Sequence, residues 1–395
     1  MEAIKTFLSD TGVAGFFEAG GWKNLIMIAI ACLLCYLAIG KKFEPLLLLP
    51  IAIGMLLTNL PGADIFHEEF FAGGHVHWDM IGEGGAGLID ILYLGVKLGI
   101  YPCLIFIGVG AMTDFGPLIA NPKSLILGAA AQIGIFATYA GAIALGFLPN
   151  EAASIGIIGG ADGPTAIFVT SMLAPHLLGP IAVAAYSYMA LVPVIQPPVI
   201  KALTTKKERL IRMPYKGKTV SKTTRILFPI VITIIAGLVA PESIDLIGFL
   251  MFGNLIRECG VLNSLSDTAQ KVLANLITIF LGITVATQMT ADKFLQPATL
   301  LILGLGLFAF IFDTAGGVLF AKFLNLFLKE KINPMIGAAG ISAFPMSGRV
   351  VHKMGLKEDP QNFLLMQSIG VNVSGQIASV IAGGLILTFA ASFMM

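Results

Sequence analysis

Hydrophobic residues in this chain form long runs separated by shorter polar connections. Eight of the runs reach or approach the roughly 20 residues that a helix needs to cross a lipid bilayer. They lie at residues 24–40, 44–60, 124–148, 177–200, 226–240, 272–289, 298–327 and 363–395. Short segments of alternating polar and apolar residues, which are typical of transmembrane β-strands, fit nowhere. The pattern predicts an all-α polytopic integral membrane protein.

Three stretches interrupt the hydrophobic pattern with glycine, proline and polar residues. They lie at 149–175, 333–350 and 368–384, in both halves of the chain. Interrupted hydrophobic segments in corresponding positions of two halves are the sequence sign of a transporter's binding site near the membrane midplane. We therefore expect about 9–11 transmembrane segments, with broken helices and re-entrant hairpins. The two halves show no residue-level identity, so a repeat rests on this topology alone.

The composition agrees with a membrane protein. Of 395 residues, 56% are hydrophobic and 12% are charged, whereas soluble domains average about 25% charged residues. The four cysteines indicate no disulfide framework. Cys32 and Cys35 are spaced as CxxC, but they lie inside the first hydrophobic run without a second pair, so packing explains them better than metal or redox chemistry.

A basic stretch divides the chain. Residues 201–225 contain nine Lys or Arg and one Glu, and a short loop with this bias is predicted to be cytoplasmic. Nucleic-acid binding is a poor explanation for a basic run between membrane segments. The predicted organisation is an N-terminal interfacial segment (1–23), a first membrane half (24–200) with a re-entrant GGADGPT segment, the basic loop, and a second half (226–395) with a re-entrant GVNVSGQIAS segment.

A polar stretch at 61–87 holds three of the five histidines and five acidic residues. The residues that could be drawn as a metal site are His75, His77, Glu68, Glu69 and Asp79. A His-x-His pair alone is weak evidence for a metal site. We therefore favour an ordered loop outside the membrane.

The sharpest feature is GIIGGADGPTAIF at 156–168, in which Asp162 stands among small and apolar residues. An Asp at the centre of a membrane helix costs about 2.5–3.5 kcal/mol, so such residues usually face a cavity and have a function. Pro164 suits the first turn of a helix, which would place Asp162 beside the free N–H groups of a helix N-terminus. A carboxylate near bare carbonyl oxygens can bind Na⁺ or a proton. The alternative is a simple N-cap outside the membrane.

Other polar residues also lie within apolar runs. Tyr186 and Tyr188 precede MALVPVIQPPVI, whose prolines predict a broken, cavity-lining helix. Asp114 can cap a span, whereas Asp313 lies deeper and is a candidate for binding a proton or an ion. The tyrosine hydroxyls have the alternative role of interhelical hydrogen bonds. The segment IGVNVSGQIASV adds four neutral oxygen donors: Asn372, Ser374, Gln376 and Ser379.

Motifs for other sources of energy are absent from the sequence. It contains no GxxxxGK[ST] phosphate loop, no GxGxxG in a βαβ setting and no HExxH. It also lacks a Met-Lys-Met biotin-attachment site. The energy for any transport must come from an ion gradient or from a partner protein.

Several long motifs match a known family. GGADGPT and AYSYMALVPVIQPP are the most specific, and YPCLIFIGVGAMTDFGPLIANPK, DTAGGVLFAKFLN and NFLLMQSIGVNVSGQIASV extend the match over nearly the whole chain. The chain resembles the β subunit of sodium-pumping, biotin-dependent decarboxylases, which act on oxaloacetate, methylmalonyl-CoA, glutaconyl-CoA or malonate. The fold that this resemblance implies has two inverted repeats, each with a hairpin that dips into the membrane.

The resemblance also implies an activity and partners. A carboxyltransferase α subunit transfers CO₂ to biotin on a carrier protein; the membrane subunit decarboxylates carboxybiotin, consumes a proton and exports Na⁺. A small membrane γ or δ subunit, a homo-oligomer and the bacterial inner membrane are implied as well. By motif position, Asp162 is the main ion-binding carboxylate, Tyr188 the functional tyrosine, and Asn372 and Ser379 the asparagine–serine pair that binds Na⁺.

The chain departs from the family in one segment. It reads GVNVSGQIASV where the family commonly reads GPNVAGVIGSA, so Val371 replaces a proline, and Ser374 and Gln376 add polar groups. Ser374 is therefore a further candidate Na⁺ ligand. A basic residue of the family's final helix has no counterpart, since no Lys or Arg follows Lys357. The alternative function is a stand-alone Na⁺-coupled carrier of an organic anion, for which Arg349 is the one embedded basic candidate.

Overall fold

The fold is built from helices. A computed structural model describes residues 11–17, 20–42, 45–81, 85–214 and 220–394. Over these ranges it contains α-helices, short 3₁₀-helices and one π-helical turn, but no β-strand. Residues 1–10 and 18–19 of the predicted interfacial segment, and residues 215–219 of the basic loop, lie outside the described residues.

The first half and the basic loop contain these α-helices, in chain order: α1 (Gly12–Gly15), α2 (Gly21–Gly40), α3 (Pro45–Thr58), α4 (Leu88–Lys97), α5 (Ile100–Met112), α6 (Gly116–Ala120), α7 (Ser124–Ala131), α8 (Ile133–Ala144), α9 (Pro149–Gly156), α10 (Gly163–Leu173), α11 (Leu178–Leu203) and α12 (Lys206–Arg209). Short 3₁₀-helices lie at Glu68–Gly74, Trp78–Ile81, Ile157–Gly160 and Pro175–Leu177. Between α4 and α5 the chain bends by 68° at Gly99, whose φ of +68° suits a residue without a side chain.

The second half contains α13 (Lys222–Val239), α14 (Ile244–Cys259), α15 (Asn263–Thr268), α16 (Ala274–Ala286), α17 (Ala291–Phe294), α18 (Pro297–Phe327), α19 (Met346–Glu358) and α20 (Leu365–Met394). A π-helical turn, Ala269–Leu273, joins α15 to α16, and 3₁₀-helices lie at Pro241–Ser243 and Pro334–Gly340. Both halves thus follow one order: two helices, an irregular helix, a long helix or helix pair, a broken segment and a final long helix.

The helices confirm the predicted class, an all-α polytopic membrane protein. Seven stretches within the described ranges are long and apolar enough to cross a membrane, and the bent pair of α4 and α5 makes eight. The shorter apolar helices α3 and α10 are two further apolar segments. Both are shorter than a span requires, so the described residues contain seven or eight candidate transmembrane helices, and the predicted count of about 9–11 stays a prediction.

Two similar helix crossings join the halves: α5 packs on α14, and α3 packs on α16. A Cβ added at Gly110 of α5 would lie 1.8 Å from the carbonyl oxygen of Leu250 on α14. A Cβ added at Gly54 of α3 would lie 2.6 Å from the carbonyl oxygen of Ile283 on α16. Backbones approach this closely only where one residue lacks a side chain.

At each crossing, an asparagine amide forms a hydrogen bond between the two halves. Asn254 Nδ2 on α14 donates to the carbonyl oxygen of Thr113, just beyond α5, at 2.9 Å. Asn59 Nδ2, just beyond α3, donates to the carbonyl oxygen of Met289, which follows α16, at 2.8 Å. Each half therefore supplies one donor and one acceptor in the same structural context. This reciprocity supports a structural repeat although the two sequences show no identity.

The broken segments lie deep between the halves. α11 packs on α18 and α7 packs on α20, so each long helix around the centre has a neighbour from the other half. Ile157–Gly160 and Pro334–Gly340 are buried within the hydrophobic cluster that these helices share. A second cluster, formed mainly by α2, α3, α11 and α16, lies beside it.

The expected break in the proline-rich helix is absent. α11 runs continuously over Leu178–Leu203 with Pro193, Pro197 and Pro198 inside it. Proline removes a backbone donor and disfavours an interior helical position. Membrane helices nevertheless tolerate it where neighbouring groups satisfy the freed carbonyl oxygens. The prediction of a helix broken at these prolines is therefore wrong.

The prediction that the GVNVSGQIAS segment is re-entrant is also wrong. Residues 368–384 lie within the 30-residue helix α20, and the second half is instead broken at Pro334–Gly340. The glycines of α20 serve close packing: a Cβ added at Gly375 would lie 2.0 Å from the carbonyl oxygen of Gly340. Glycine in a membrane helix thus indicated a close neighbour and not a break.

The polar stretch after α3 folds around a buried carboxylate. Asp90 has no exposed side-chain surface, and its oxygens accept hydrogen bonds from His67 N at 2.8 Å and Gly87 N at 2.7 Å. His67 Nδ1 lies 2.8 Å from Asp90 Oδ2. In the described part of the chain, no three His, Cys, Asp or Glu side chains are arranged to hold a metal ion.

The contact between His67 and Asp90 predicts a pH-dependent loop. The hydrogen bond to Asp90 raises the pKa of His67 above its ordinary value of 6.5. The stabilisation is therefore complete below about pH 6.5 and is lost as the pH rises through the raised pKa. Amide hydrogen exchange of residues 61–72, corrected for intrinsic rates, should quicken between about pH 6 and pH 8. We expect His67→Gln to remove this step.

His77 provides the control for that experiment. It lies in the same loop, but its Nε2 approaches only a backbone oxygen, that of Ala72, at 3.2 Å. His77→Gln should therefore keep the pH-dependent step. An unchanged step in His67→Gln would show that another group produces it.

Candidate functional site

The first broken segment places a carboxylate at a helix N-terminus. α9 ends at Gly156, a 3₁₀ turn follows, and Ala161 adopts the left-handed conformation with a φ of +52°. Asp162 is extended and directly precedes α10, which has Pro164 in its first turn. The free N–H groups and the dipole of α10 favour a negative charge at this point.

The carboxylate of Asp162 is buried beside two hydroxyl groups. Thr165 Oγ1, one turn into α10, donates to Asp162 Oδ2 at 2.7 Å. Ser379 Oγ of α20 lies 3.4 Å from the same oxygen. The residue as a whole is 8% exposed. The structure thus brings together the Asp162 of the first half and the Ser379 of the second.

The second broken segment meets the first through the backbone. Ser342 N, just beyond Pro334–Gly340, donates to the carbonyl oxygen of Gly160 at 3.3 Å. Gln132, which lies between α7 and α8, donates through Nε2 to the carbonyl oxygen of Gly340 at 3.1 Å. The ends of both broken segments therefore lie in one region, next to Asp162.

The structure does not connect the other proposed ligands to Asp162. Asn372 Nδ2 donates to the carbonyl oxygen of Ile341 at 2.7 Å and to Ser347 Oγ at 2.9 Å. Ser374 Oγ donates to the carbonyl oxygens of Ser124 and Val371, at 2.7 and 2.6 Å, and so faces α7. These two residues hold α20 against its neighbours.

The two tyrosines of α11 occupy different places. Tyr188, the predicted functional tyrosine, donates from its hydroxyl to the carbonyl oxygen of Leu303 on α18 at 2.6 Å. The ring of Tyr186 lies against Gly163, where an added Cβ would be 2.0 Å from Tyr186 Cε1. Tyr186 is therefore the tyrosine beside Gly163, the first residue of α10, which follows Asp162 in the chain.

Two further acids form no described hydrogen bond with Asp162, and one of them, Asp313, faces the first broken segment, where a Cβ added at Gly159 would lie 2.9 Å from its Oδ2. Asp313 of α18 is fully buried; its Oδ1 accepts from Gly134 N at 2.6 Å, and its Oδ2 has no hydrogen-bond partner in the described structure. Asp114, beyond α5, accepts from Gly116 N at 2.8 Å in a turn, in agreement with a capping role. Neither acid contacts Asp162 in the hydrogen bonds described.

Sequence reasoning missed Thr165, Gln132 and Ser342. Thr165 follows Asp162 by three residues, a spacing that places a hydroxyl over the N-cap of a helix, so this signal was available. Gln132 is a polar residue inside the apolar run 124–148 and could have been questioned in the same way as Asp162. Ser342 lies in the interrupted stretch 333–350 but contributes its backbone N–H, which no side-chain pattern reveals.

The site consists of oxygen atoms around one carboxylate. Oxygen ligands from a carboxylate, hydroxyl groups and unwound backbone suit Na⁺ in transporters. The same carboxylate can instead bind a proton, and the two cations then compete for it. Oxygen sites of this kind can therefore bind either cation.

Comparison with known proteins identifies the family. The family described as Na⁺-transporting oxaloacetate decarboxylase beta subunit matches residues 23–390. The methylmalonyl-CoA decarboxylase subunit beta of Propionigenium modestum is 56% identical over 98% of this chain and 99% of its own length. The chain belongs to this family.

Two other members are similar over their whole length. The methylmalonyl-CoA decarboxylase subunit beta of Veillonella parvula is 51% identical and covers 98% of this chain and 97% of its own. The oxaloacetate decarboxylase beta chain of Klebsiella pneumoniae is 49% identical, with coverages of 98% and 99%. Family membership and the apolar helices agree with a multi-pass protein of the bacterial inner membrane.

Proposed function

We propose that this chain is the membrane subunit of a Na⁺-pumping decarboxylase complex, in which it decarboxylates carboxybiotin and exports Na⁺. The full-length match to β subunits named for two decarboxylases carries this proposal. The buried carboxylate of Asp162, with hydroxyl groups from Thr165 and Ser379, supports it as an ion site. Asp162 binds Na⁺ when deprotonated and a proton when Na⁺ has left.

The chemistry couples these two states. In carboxybiotin the N–C bond breaks, CO₂ leaves, and the ring nitrogen receives a proton. Each turnover thus consumes one proton, which Asp162 delivers after binding it from outside in exchange for Na⁺. Na⁺ then enters from the cytoplasm to the deprotonated carboxylate. Competition for a single carboxylate prevents the two ions from occupying it together.

The complex supplies what this chain lacks. A carboxyltransferase α subunit takes CO₂ from the substrate acid, and a biotin carrier protein presents carboxybiotin to the membrane subunit. A small γ or δ membrane subunit and further copies of this chain complete the assembly. The relatives are named for oxaloacetate and methylmalonyl-CoA, so these two compounds are the first substrates to test.

A stand-alone anion carrier has less support. The relatives are named as decarboxylase subunits. Arg349, the basic residue that could attract an anion, has an exposed side chain on α19. Anion transport by this chain alone is therefore the result that would contradict the proposal.

Copurification and reconstitution test the proposed function. We expect a biotinylated protein and a carboxyltransferase to copurify with this chain from mild detergent on avidin. In proteoliposomes, the eluted complex should decarboxylate oxaloacetate or methylmalonyl-CoA and accumulate ²²Na⁺, and free avidin should block both. Glutaconyl-CoA and malonate are measured alongside. Transport of an organic acid by the purified chain alone, without biotin, would contradict the proposal.

A further inference from the structure

A buried glutamine lies at the edge of the Asp162 site. Gln132 connects α7 to α8 and is 4% exposed. A Cβ added at Gly160 would lie 3.7 Å from Gln132 Oε1 and 3.2 Å from Ser379 Cβ. The amide oxygen of Gln132 and the side chain of Ser379 therefore face the same α-carbon, two residues before Asp162.

The hydrogen bonds of Gln132 fix the orientation of its amide. Nε2 donates to the carbonyl oxygens of Gly128 and Gly340, both at 3.1 Å. A flipped amide would put Oε1 against these two acceptors, which is unfavourable. Oε1 must therefore point away from them, toward Gly160 and Ser379.

The amide oxygen has no donor. Gln132 Oε1 is a fully buried acceptor without a hydrogen-bond partner in the described structure. A buried acceptor that stays unpaired is costly, and a cation bound at Asp162, two residues after Gly160, would give this oxygen a partner. Ser342 Oγ, Asn372 Oδ1 and Gln376 Oε1 are also buried without a partner in the described structure. Thr165 Oγ1 donates to Asp162, and Ser379 Oγ donates to the carbonyl oxygen of Gln376 at 3.0 Å. Gln132 Oε1 is the oxygen among the three atoms nearest to a Cβ added at Gly160.

We propose that Gln132 Oε1 is a neutral ligand of the Na⁺ bound at Asp162. This inference rests on the proposed function and names a residue for the same site. The amide has two roles: Nε2 holds the second broken segment at Gly340, and Oε1 completes the oxygen ligands near Ser379. A third element, the junction between α7 and α8, thereby joins α10 and α20 at the ion.

Gln196 offers a matched control. It is also a buried glutamine, and its Nε2 donates to the same broken segment, at the carbonyl oxygen of Ala338, 2.7 Å away. Its Oε1 is likewise unpaired in the described structure. No described contact brings Gln196 to Gly160 or Ser379. The two glutamines therefore share the anchoring bond and differ in proximity to Asp162.

The experiment compares substitutions that keep or remove the oxygen. Gln132→Met removes Oε1 and Nε2, whereas Gln132→Glu keeps an oxygen but loses the donor to Gly340. In the purified complex we expect Gln132→Met to raise the Na⁺ concentration for half-maximal decarboxylation about tenfold. Gln132→Glu should raise it less than Gln132→Met does, because Glu keeps an oxygen ligand and loses only the donor to Gly128 and Gly340. Na⁺-induced thermal stabilisation of the complex should change in parallel.

The outcomes separate this inference from the proposed function. Gln196→Met and Gln196→Glu should leave the Na⁺ requirement within about twofold. Equal increases in Gln132→Met and Gln132→Glu would reduce Gln132 to an anchor and overturn the inference, as would no increase in Gln132→Met. If Gln132→Met does not assemble, Gln132→Asn, which withdraws the oxygen, replaces it under the same criteria. An unchanged Na⁺ requirement in Asp162→Asn would instead refute the proposed ion site itself.

Discussion

Replacing Asp162 with Asn should abolish Na⁺-dependent decarboxylation by the assembled complex. The amide retains the size and the contact with Thr165 Oγ1, but it carries no charge for Na⁺ and cannot release a proton. Removing one partner of a buried ion pair costs about 3–5 kcal/mol, which exceeds a 100-fold loss of affinity at about 1.4 kcal/mol per tenfold. The measurement is the initial rate of decarboxylation against Na⁺ concentration, with ²²Na⁺ uptake in parallel.

Asp114→Asn is the control for this substitution. Asp114 is also a carboxylate near a helix end, where its Oδ1 accepts from the backbone N–H of Gly116. Its loss should leave the Na⁺ requirement unchanged in the assembled complex. A wild-type rate with Na⁺ stimulation in Asp162→Asn would mean that a different residue binds the ion.

Replacing Gly375 with Ala should displace α20 from the second broken segment. The new Cβ would lie 2.0 Å from the carbonyl oxygen of Gly340 and 2.8 Å from its carbon. Both are backbone atoms, so no change of rotamer relieves the clash. Overpacking of a tight interior costs about 1–3 kcal/mol and sometimes more. Because α20 also carries Ser379, the Na⁺ requirement should rise together with the loss of thermal stability.

Gly304→Ala shows what the same change does where space is available. Nothing lies within 4 Å of a Cβ added at Gly304 of α18, and alanine is about 1 kcal/mol more favourable than glycine inside a helix. This variant should melt at or above the wild-type temperature when heated samples are analysed by size-exclusion chromatography. Equal melting of both variants would show that α20 can move away from Gly340 without cost.

The break around Asp162 could be predicted because local chemistry determines it. The glycines before Asp162 weaken the helix, and Pro164 after it favours the start of a new one. The structure has a 3₁₀ turn followed by a new helix there. The length of the apolar runs likewise determined the fold class. Both conclusions depend only on residues that are close together in the sequence, so a single sequence is enough to reach them.

The position of the break in the second half could not be predicted from local sequence. The glycines of Ser368–Gly384 resemble those before Asp162, yet they lie in a continuous helix and admit neighbours such as Gly340. Only the packing partner distinguishes a glycine that breaks a helix from one that allows a close approach. The same limit hid Gln132, because its significance lies in its contact with residues from both halves.

The interleaving of the halves also constrains how the protein is made. Ser379 follows Asp162 by 217 residues, and Met289 follows Asn59 by 230. At about 5–20 residues per second, translation needs about 10–40 seconds to supply the hydroxyl that meets the carboxylate. During that interval Asp162 and Asn59 have only their partners within the first half, the hydroxyl of Thr165 and the carbonyl oxygen of Met55. The contacts that join the halves at Asp162 and Asn59 therefore form only after most of the second half has been synthesised.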